Sequence, residues 1–216
     1  MNSRVDGELS LETVETLETL RSFIAVEPDA DVKDWFRSLR DVLSADYRGI
    51  RWVTPENFHL TLRFLGQLEP DRISIVLETM RSVIRKETPF SLQLGSSGVF
   101  GSARNPRVFW LSLESGGSLE RLTELQSRLE TGLEAVGFSA EDRPWSPHLT
   151  VGRRRNLRKP AQTEGWDELV EHSMAEHGEL KLSVDKWTLF SSALTPEGPH
   201  YDVLGVEALG QETLGR

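Results

Sequence analysis

The chain has 216 residues, of which 38% are hydrophobic and 27% charged, which is typical of a folded globular protein. Its net charge of −9 argues against a protein that coats long nucleic acids, and the absence of cysteine excludes disulfides, zinc–thiolate sites and cysteine nucleophiles. No apolar run approaches the roughly 20 residues that span a bilayer, and the N-terminal residues lack the apolar core of a secretory signal. We therefore expect a cytoplasmic protein that does not associate with membranes.

In chain order, residues 1–20 are polar and acidic and predict a flexible N-terminal tail. We expect one domain over 21–208 and a C-terminal tail over 209–216. Apolar residues at spacings of three and four predict four helices, at 32–43, 73–84, 119–136 and, more weakly, 166–174. Short apolar runs predict strands at 22–26, 58–65, 90–94, 108–113, 148–152, 180–190 and 201–206. Residues 95–98, Gly-Ser-Ser-Gly, are typical of a turn. The order of elements predicts an α+β fold with antiparallel sheets.

A short motif occurs twice. His59-Leu60-Thr61-Leu62 recurs as His148-Leu149-Thr150-Val151, 89 positions later, and each copy lies on a predicted strand. Alternate residues of a strand point to the same side, so each histidine should project together with the threonine two positions on. Duplication of one α/β unit would bring two imidazoles and two hydroxyls around one cavity.

This set of side chains suits phosphodiester chemistry. Histidine, with an ordinary pKa near 6.5, can act either as the base that activates a nucleophile or as the acid that protonates a leaving oxygen. The threonine hydroxyls can donate to the non-bridging phosphate oxygens. One isolated His-x-Thr is usually structural, but two of the five histidines share the frame here. No metal-ligand spacing and no cofactor motif is present, so we expect neither a metal nor a cofactor.

Segments 51–66 and 143–153, which contain the two motifs, resemble the signatures of the two-histidine phosphoesterases. Within that superfamily they are similar to the bacterial and archaeal RNA 2′,3′-cyclic phosphodiesterases, long called 2′–5′ RNA ligases. Segments 98–100, 106–111, 189–192 and 198–201 add to the resemblance, which covers about residues 21–208.

The resemblance implies a two-lobed, duplicated unit of antiparallel sheets with helices on the outer faces and a central cleft that carries both motifs. It implies hydrolysis of an RNA-terminal 2′,3′-cyclic phosphate to a 2′-phosphomonoester, without a metal. His59 would be the proton donor to the 3′-oxygen and His148 the proton acceptor that activates water, while Thr61 and Thr150 would bind the phosphate. The sequence alone does not assign the two histidines to these roles.

Three further residues are candidates for substrate binding, each with a structural alternative. Arg153, five residues after His148, would contact the phosphate or an adjoining nucleotide, or would form a solvated strand end. Arg63 would share the face of His59 and Thr61 if the strand is regular, and would then contact phosphate or stand at the cleft rim. Phe100 would stack on a base or pack in the core. The basic run 153–159 would attract RNA or form a solvated loop.

Several functions fit these residues. The expected partner is an RNA 3′ end bearing a cyclic phosphate. The same acid–base pair could join RNA ends through a 2′–5′ link, or could act on a small cyclic nucleotide. A nucleotide-binding module without turnover is a further alternative, although the presence of both histidines and both threonines argues against it. Because a duplicated fold completes its own cleft, we expect a monomer.

Overall fold

The computed structural model of the chain describes residues 19–102, 105–156, 163–196 and 198–210. Most of the two predicted tails lies outside the described residues. The first strand begins at Leu20. Leu209, at the start of the predicted C-terminal tail, is buried, and its backbone N–H donates to the Asp185 carbonyl at 2.8 Å.

Strands and helices alternate along the described residues. The helices are α1 (Ala30–Asp46), α2 (Ile73–Ile84), α3 (Gly117–Ala135) and α4 (Trp166–His177). The strands are β1 (Leu20–Val26), β2 (Ile50–Trp52), β3 (Leu60–Leu68), β4 (Phe90–Ser102), β5 (Asn105–Leu113), β6 (Leu149–Arg154), β7 (Lys181–Val184), β8 (Lys186–Thr195) and β9 (Gly198–Ala208). None of these helices is long and apolar enough to cross a membrane.

The strands form one curled antiparallel sheet in the order β7-β4-β5-β6-β3-β1-β8-β9, with β2 paired to β6. Four strands of this order lie on each side of the junction between β6 and β3, where Leu60 is paired with Leu149. The two copies of the motif therefore meet at the centre of the sheet. This arrangement confirms the predicted α+β class.

The helices cover one face of the sheet. All four contribute to the main hydrophobic core, through residues such as Trp35, Met80, Leu129 and Val170. Along β1, Ile24 belongs to this core, whereas its neighbours Phe23 and Ala25 form a separate small cluster on the opposite face with Phe190 and Tyr201. The apolar sides of the helices thus pack against one face of the sheet only, and the second face is free to form a cleft.

A bulge interrupts the alternation of β3 directly after the first motif. Thr61 is paired with Ala25 and Arg63 with Ile24, so β3 carries one residue more than β1 between these pairs. An extra residue re-aims the side chains that follow it. Phe64, paired with Phe23, consequently lies on the cleft face, where its side chain is 52% exposed.

A matching bulge follows the second motif. Thr150 is paired with Trp110 and Gly152 with Phe109, which leaves one extra residue on β6. Phe109 is completely buried in the core, so the next pair, Arg153 with Val108, lies on the cleft face. In each of the duplicated strands, the residue five positions after the histidine therefore faces the cleft. These residues are Phe64 on β3 and Arg153 on β6.

Residues 95–98 do not form the predicted turn but continue β4. Gly98 is paired with Trp110, and a Cβ atom at this position would overlap the indole ring. Gly95 is similarly close to Ser112 on β5. These glycines therefore allow side chains of β5 to pack closely against β4. A local sequence pattern does not distinguish such glycines from the glycines of a turn.

Candidate active site

His59 lies between a 3₁₀ turn (Pro55–Asn57) and the start of β3. Its Nδ1 is 2.8 Å from the Asn57 carbonyl oxygen and its Nε2 is 3.1 Å from Thr61 Oγ1. A carbonyl oxygen only accepts, so Nδ1 must carry the proton of the neutral ring. Nε2 is then the nitrogen with a lone pair, and it accepts a hydrogen bond from the Thr61 hydroxyl.

His148, directly before β6, repeats the first of these two contacts. Its Nδ1 is 2.7 Å from the carbonyl oxygen of Ser146, again two residues earlier in the chain. The bond fixes the same tautomer, with Nε2 free for proton transfer. The duplicated motif therefore reproduces the orientation and the protonation site of the imidazole as well as its sequence.

The register of the central strands brings the two motifs together. With Leu60 opposite Leu149 in an antiparallel pair, His59 lies alongside Thr150, and Thr61 alongside His148. The two histidines are then diagonal neighbours, with Cβ atoms roughly 7 Å apart. The indole N–H of Trp145 donates to the Thr61 carbonyl at 3.0 Å and ties the approach to the second motif to the strand of the first. Two acid–base groups thus face one space with a hydroxyl beside each.

Aromatic rings enclose His59. Phe23 stacks on the imidazole with ring centroids 4.9 Å apart, and Tyr201 meets it edge-on at 5.5 Å. Burial by these neighbours, together with the charges of Arg153 and His148, lowers the pKa of His59 from 6.5 to about 4, against the opposing effects of the Asn57 carbonyl and Glu27. In the free protein at neutral pH, His59 is therefore a neutral imidazole.

His148 lies among different rings. Phe100 meets its imidazole edge-on at 4.8 Å, and Trp110 lies 6.4 Å away. Burial lowers the pKa of His148, and the Arg153 charge lowers it too, while the bond to the Ser146 carbonyl acts in the opposite sense. Phe100 is 37% exposed beside a motif histidine, so it lines the cleft rather than the main core.

Arg153 is the cationic group that acts on both histidines. Its charge lowers the pKa of His59, His148 and Tyr201 alike. Among the described residues no carboxylate forms an ion pair with it. An exposed guanidinium close to two neutral imidazoles is suited to hold an anion between them. Among the residues that the structure describes, no three histidine or carboxylate side chains lie close enough together to hold a metal ion.

The structure does not place Arg63 in the cleft. The bulge in β3 directs its side chain to the helix-covered face, where it is only 6% exposed. Arg63 forms ion pairs with Glu130 at 3.0 Å and Glu141 at 2.8 Å and donates to the Ser139 carbonyl. The expectation that Arg63 shares a face with His59, as a phosphate contact or a rim charge, is therefore wrong, because the strand is not regular.

Tyr201 and Phe64 line the cleft without having been predicted to do so. Tyr201 lies on β9, and burial raises the pKa of its hydroxyl. Tyr201 belongs to segment 198–201, which is part of the family resemblance, and that resemblance is the one sequence signal that points to it. Phe64 follows the first motif directly, but its direction depends on the bulge.

Replacing Gly98 with valine is expected to lower activity and stability together. The new side chain would displace the Trp110 ring, which packs near His148 and Phe100. Overpacking of this kind typically costs about 1–3 kcal/mol. We expect a lower unfolding midpoint in urea and a rate reduced about tenfold, the equivalent of about 1.4 kcal/mol in the barrier. Gly116→Val is the comparison variant, because Gly116 is exposed and nothing lies within 4 Å of an added Cβ. It shows the effect of replacing a glycine without crowding a neighbour, with the backbone strain that its φ of 146° adds. Unchanged kinetics in the Gly98 variant would show that Trp110 does not position His148.

Comparison with known proteins agrees with this geometry. A family model described as LigT like Phosphoesterase matches residues 26–110 and 114–201, which include both motifs. The chain belongs to this phosphoesterase family. An RNA 2′,3′-cyclic phosphodiesterase of Thermotoga maritima is 34% identical to it over 185 residues, which cover 86% of this chain and 93% of the relative. The RNA 2′,3′-cyclic phosphodiesterase of Methanothermobacter thermautotrophicus is 33% identical over a stretch that covers 84% of this chain and 95% of the relative.

Solved structures show the same fold. A Thermus thermophilus protein superposes with a TM-score of 0.69 at 28% identity, over 90% of this chain and 100% of the other. Escherichia coli LigT in complex with 3′-AMP gives a TM-score of 0.65 at 24% identity, over 90% and 100% of the two chains. The curled sheet of this phosphoesterase is thus the architecture of its family.

Proposed function

We propose that this phosphoesterase hydrolyses the 2′,3′-cyclic phosphate at the 3′ end of RNA to a 2′-phosphomonoester. The observation that carries the proposal is the pair of imidazoles, each held by a backbone carbonyl with Nε2 toward a shared cleft. In-line displacement at phosphorus needs a base on one side and an acid on the other. The relatives named RNA 2′,3′-cyclic phosphodiesterase support the choice of substrate.

In the proposed reaction, Nε2 of His148 takes a proton from water as the water oxygen bonds to phosphorus. The bond between phosphorus and the 3′-oxygen breaks, and Nε2 of His59 gives its proton to that oxygen. The 2′-oxygen keeps the phosphate. The assignment of His59 as donor and His148 as acceptor follows the family resemblance.

The phosphate is held by groups of the cleft. The Thr61 hydroxyl, which donates to His59 Nε2 in the free protein, is released once that nitrogen is protonated, and it then donates with the Thr150 hydroxyl to the non-bridging oxygens. Arg153 neutralises the charge that accumulates there. An anion between the histidines favours their charged forms and raises their pKa values, which opposes the effect of burial. The neutral His59 of the free protein thus gains its proton when the substrate is bound. Phe100, exposed beside His148, offers its ring to the terminal base.

The experiment is to incubate the protein, in EDTA, with a short RNA ending in a 2′,3′-cyclic phosphate and to compare the product with synthetic 2′- and 3′-phosphate standards. The proposal requires the 2′-phosphate. A 3′-phosphate would overturn the assignment of the 3′-oxygen as leaving group, and no conversion would overturn the substrate. A parallel reaction with 5′-hydroxyl RNA separates hydrolysis from 2′–5′ joining, and 2′,3′-cyclic AMP tests a small nucleotide.

We also propose that the protein acts as a cytoplasmic monomer. The absence of cysteine is compatible with a reducing compartment. Both histidines of the cleft come from one chain, so the site needs no second copy. Sedimentation at enzyme concentrations used for assays tests the monomer, and cell fractionation tests the location.

A further inference from the structure

A second arginine lies beside Arg153 on the cleft face of the sheet. In the pairing of β2 with β6, Arg51 is directly opposite Arg153. The neighbours of Arg51 on β2, Ile50 and Trp52, are buried in the main core, so the Arg51 side chain points to the other face and is exposed. Directly paired residues share a face, and the two guanidinium groups therefore stand side by side.

This arrangement is unfavourable without an anion. Like charges directly opposite each other on neighbouring strands destabilise a sheet. The chain has 34 acidic residues, yet neither arginine forms an ion pair with a carboxylate in the described parts of the chain. Arg51 and Arg153 are thus two like charges directly opposite each other, with no acidic partner among the described residues, in a chain whose net charge is −9.

The two arginines differ in their position relative to the histidines. Arg153 lies on β6, the strand that His148 directly precedes, and its charge lowers the pKa of both histidines, whereas Arg51 lies on the neighbouring strand β2. Arg51 lies on the side of β6 away from Val108, which pairs with Arg153 from β5. A single phosphate between the histidines engages Arg153, and Arg51 is then placed for a second, neighbouring phosphate.

We propose that Arg51 binds the phosphodiester that joins the terminal nucleotide to the preceding one, so that the site selects RNA strand ends over free cyclic nucleotides. The inference rests on the proposed function and names a residue that determines its substrate class. A free cyclic nucleotide carries one phosphate and leaves Arg51 without a partner. A strand end supplies the second anion, and the guanidinium fork matches its two non-bridging oxygens.

The test uses two dinucleotides that end in a 2′,3′-cyclic phosphate and differ only in the internal linkage, a charged phosphodiester or an uncharged methylphosphonate. For the wild-type protein we expect kcat/KM to be about tenfold higher with the charged linkage, which is typical of one charge-assisted hydrogen-bonded contact. In Arg51→Gln the ratio should fall to about one, and in Arg51→Lys to a value between. In Arg51→Gln, the slope of log kcat/KM against log salt concentration for the charged substrate should be about 0.7 less steep than in the wild type.

Arg85→Gln, at the exposed end of α2, removes the same charge far from the cleft and should retain the wild-type ratio. Circular dichroism and urea unfolding establish that each variant is folded. A wild-type ratio near one, or a ratio that Arg51→Gln leaves unchanged, would overturn the inference while leaving the proposed function in place. Wild-type protein that hydrolyses neither dinucleotide would overturn the proposed function itself.

Discussion

Replacing either motif histidine is expected to lower the rate of cyclic phosphate hydrolysis by about 10²–10⁴-fold, the usual contribution of one positioned acid or base. In the proposed mechanism, His148→Ala removes the group that takes the proton of water, and His59→Ala removes the group that protonates the leaving oxygen. Single-turnover rates at saturating protein measure this step without interference from product release. Because His59 packs against Phe23 and Tyr201, His59→Gln serves as a second variant that retains more of the side-chain volume.

A modified substrate separates the two roles. If sulfur replaces the 3′-oxygen, the leaving group departs as a thiolate and has little need of a proton. The defect of His59→Ala should then be largely rescued, whereas His148→Ala should stay slow. Rescue of His148→Ala instead would reverse the assignment of acid and base. Wild-type rates in both alanine variants would contradict the two-histidine mechanism altogether.

Replacing Arg63 with alanine is expected to destabilise the fold by about 3 kcal/mol, because it removes the buried guanidinium and leaves the partly buried Glu130 carboxylate without its partner. Arg63 joins Glu130 of α3 and Glu141 at the side of β3 that faces away from the cleft. Glu141 is itself tied to Glu130, since its backbone N–H donates to the Glu130 carboxylate at 3.0 Å. The network therefore anchors the segment that leads to the second motif. Urea unfolding measures the change.

The exposed Arg85 provides the matched control, and Arg85→Ala should change the free energy of unfolding by less than about 0.5 kcal/mol. The double variant Arg63→Met/Glu130→Met should recover part of the loss, since apolar side chains of similar volume can replace a buried ion pair. An Arg63→Ala protein with wild-type stability but a raised KM would instead place Arg63 in contact with substrate, as a regular strand would have it.

The core and the placing of the motif side chains could be predicted from the sequence because both depend on local periodicity. The spacing of Trp35 and Leu39 indicates a buried helix face, and the two residues are indeed buried. Alternation within His59-Leu60-Thr61 is likewise local, and the structure holds the His59 and Thr61 side chains together at 3.1 Å.

The direction of side chains beyond each motif could not be predicted in this way. The bulges after Thr61 and Thr150 depend on pairing with β1 and β5, which lie far away in sequence. One extra residue exchanges the two faces of a strand, so Arg63 is buried where a regular strand would expose it to the cleft. Register also decides that Arg51 meets Arg153 and that Tyr201 reaches His59, and no local pattern encodes either contact.

The pH dependence of kcat/KM in EDTA tests the central claim, that the two histidines act as acid and base, most directly. This parameter reports the free protein and should rise as the base loses its proton and fall as the acid loses its own. Burial and Arg153 lower both pKa values, that of His59 to about 4, so the bell-shaped profile should have its optimum below about pH 6.5. The optimum of kcat should lie at higher pH, because bound phosphate raises both pKa values. A kcat/KM profile without two limbs, or one that each alanine variant leaves unchanged in shape, would contradict the claim.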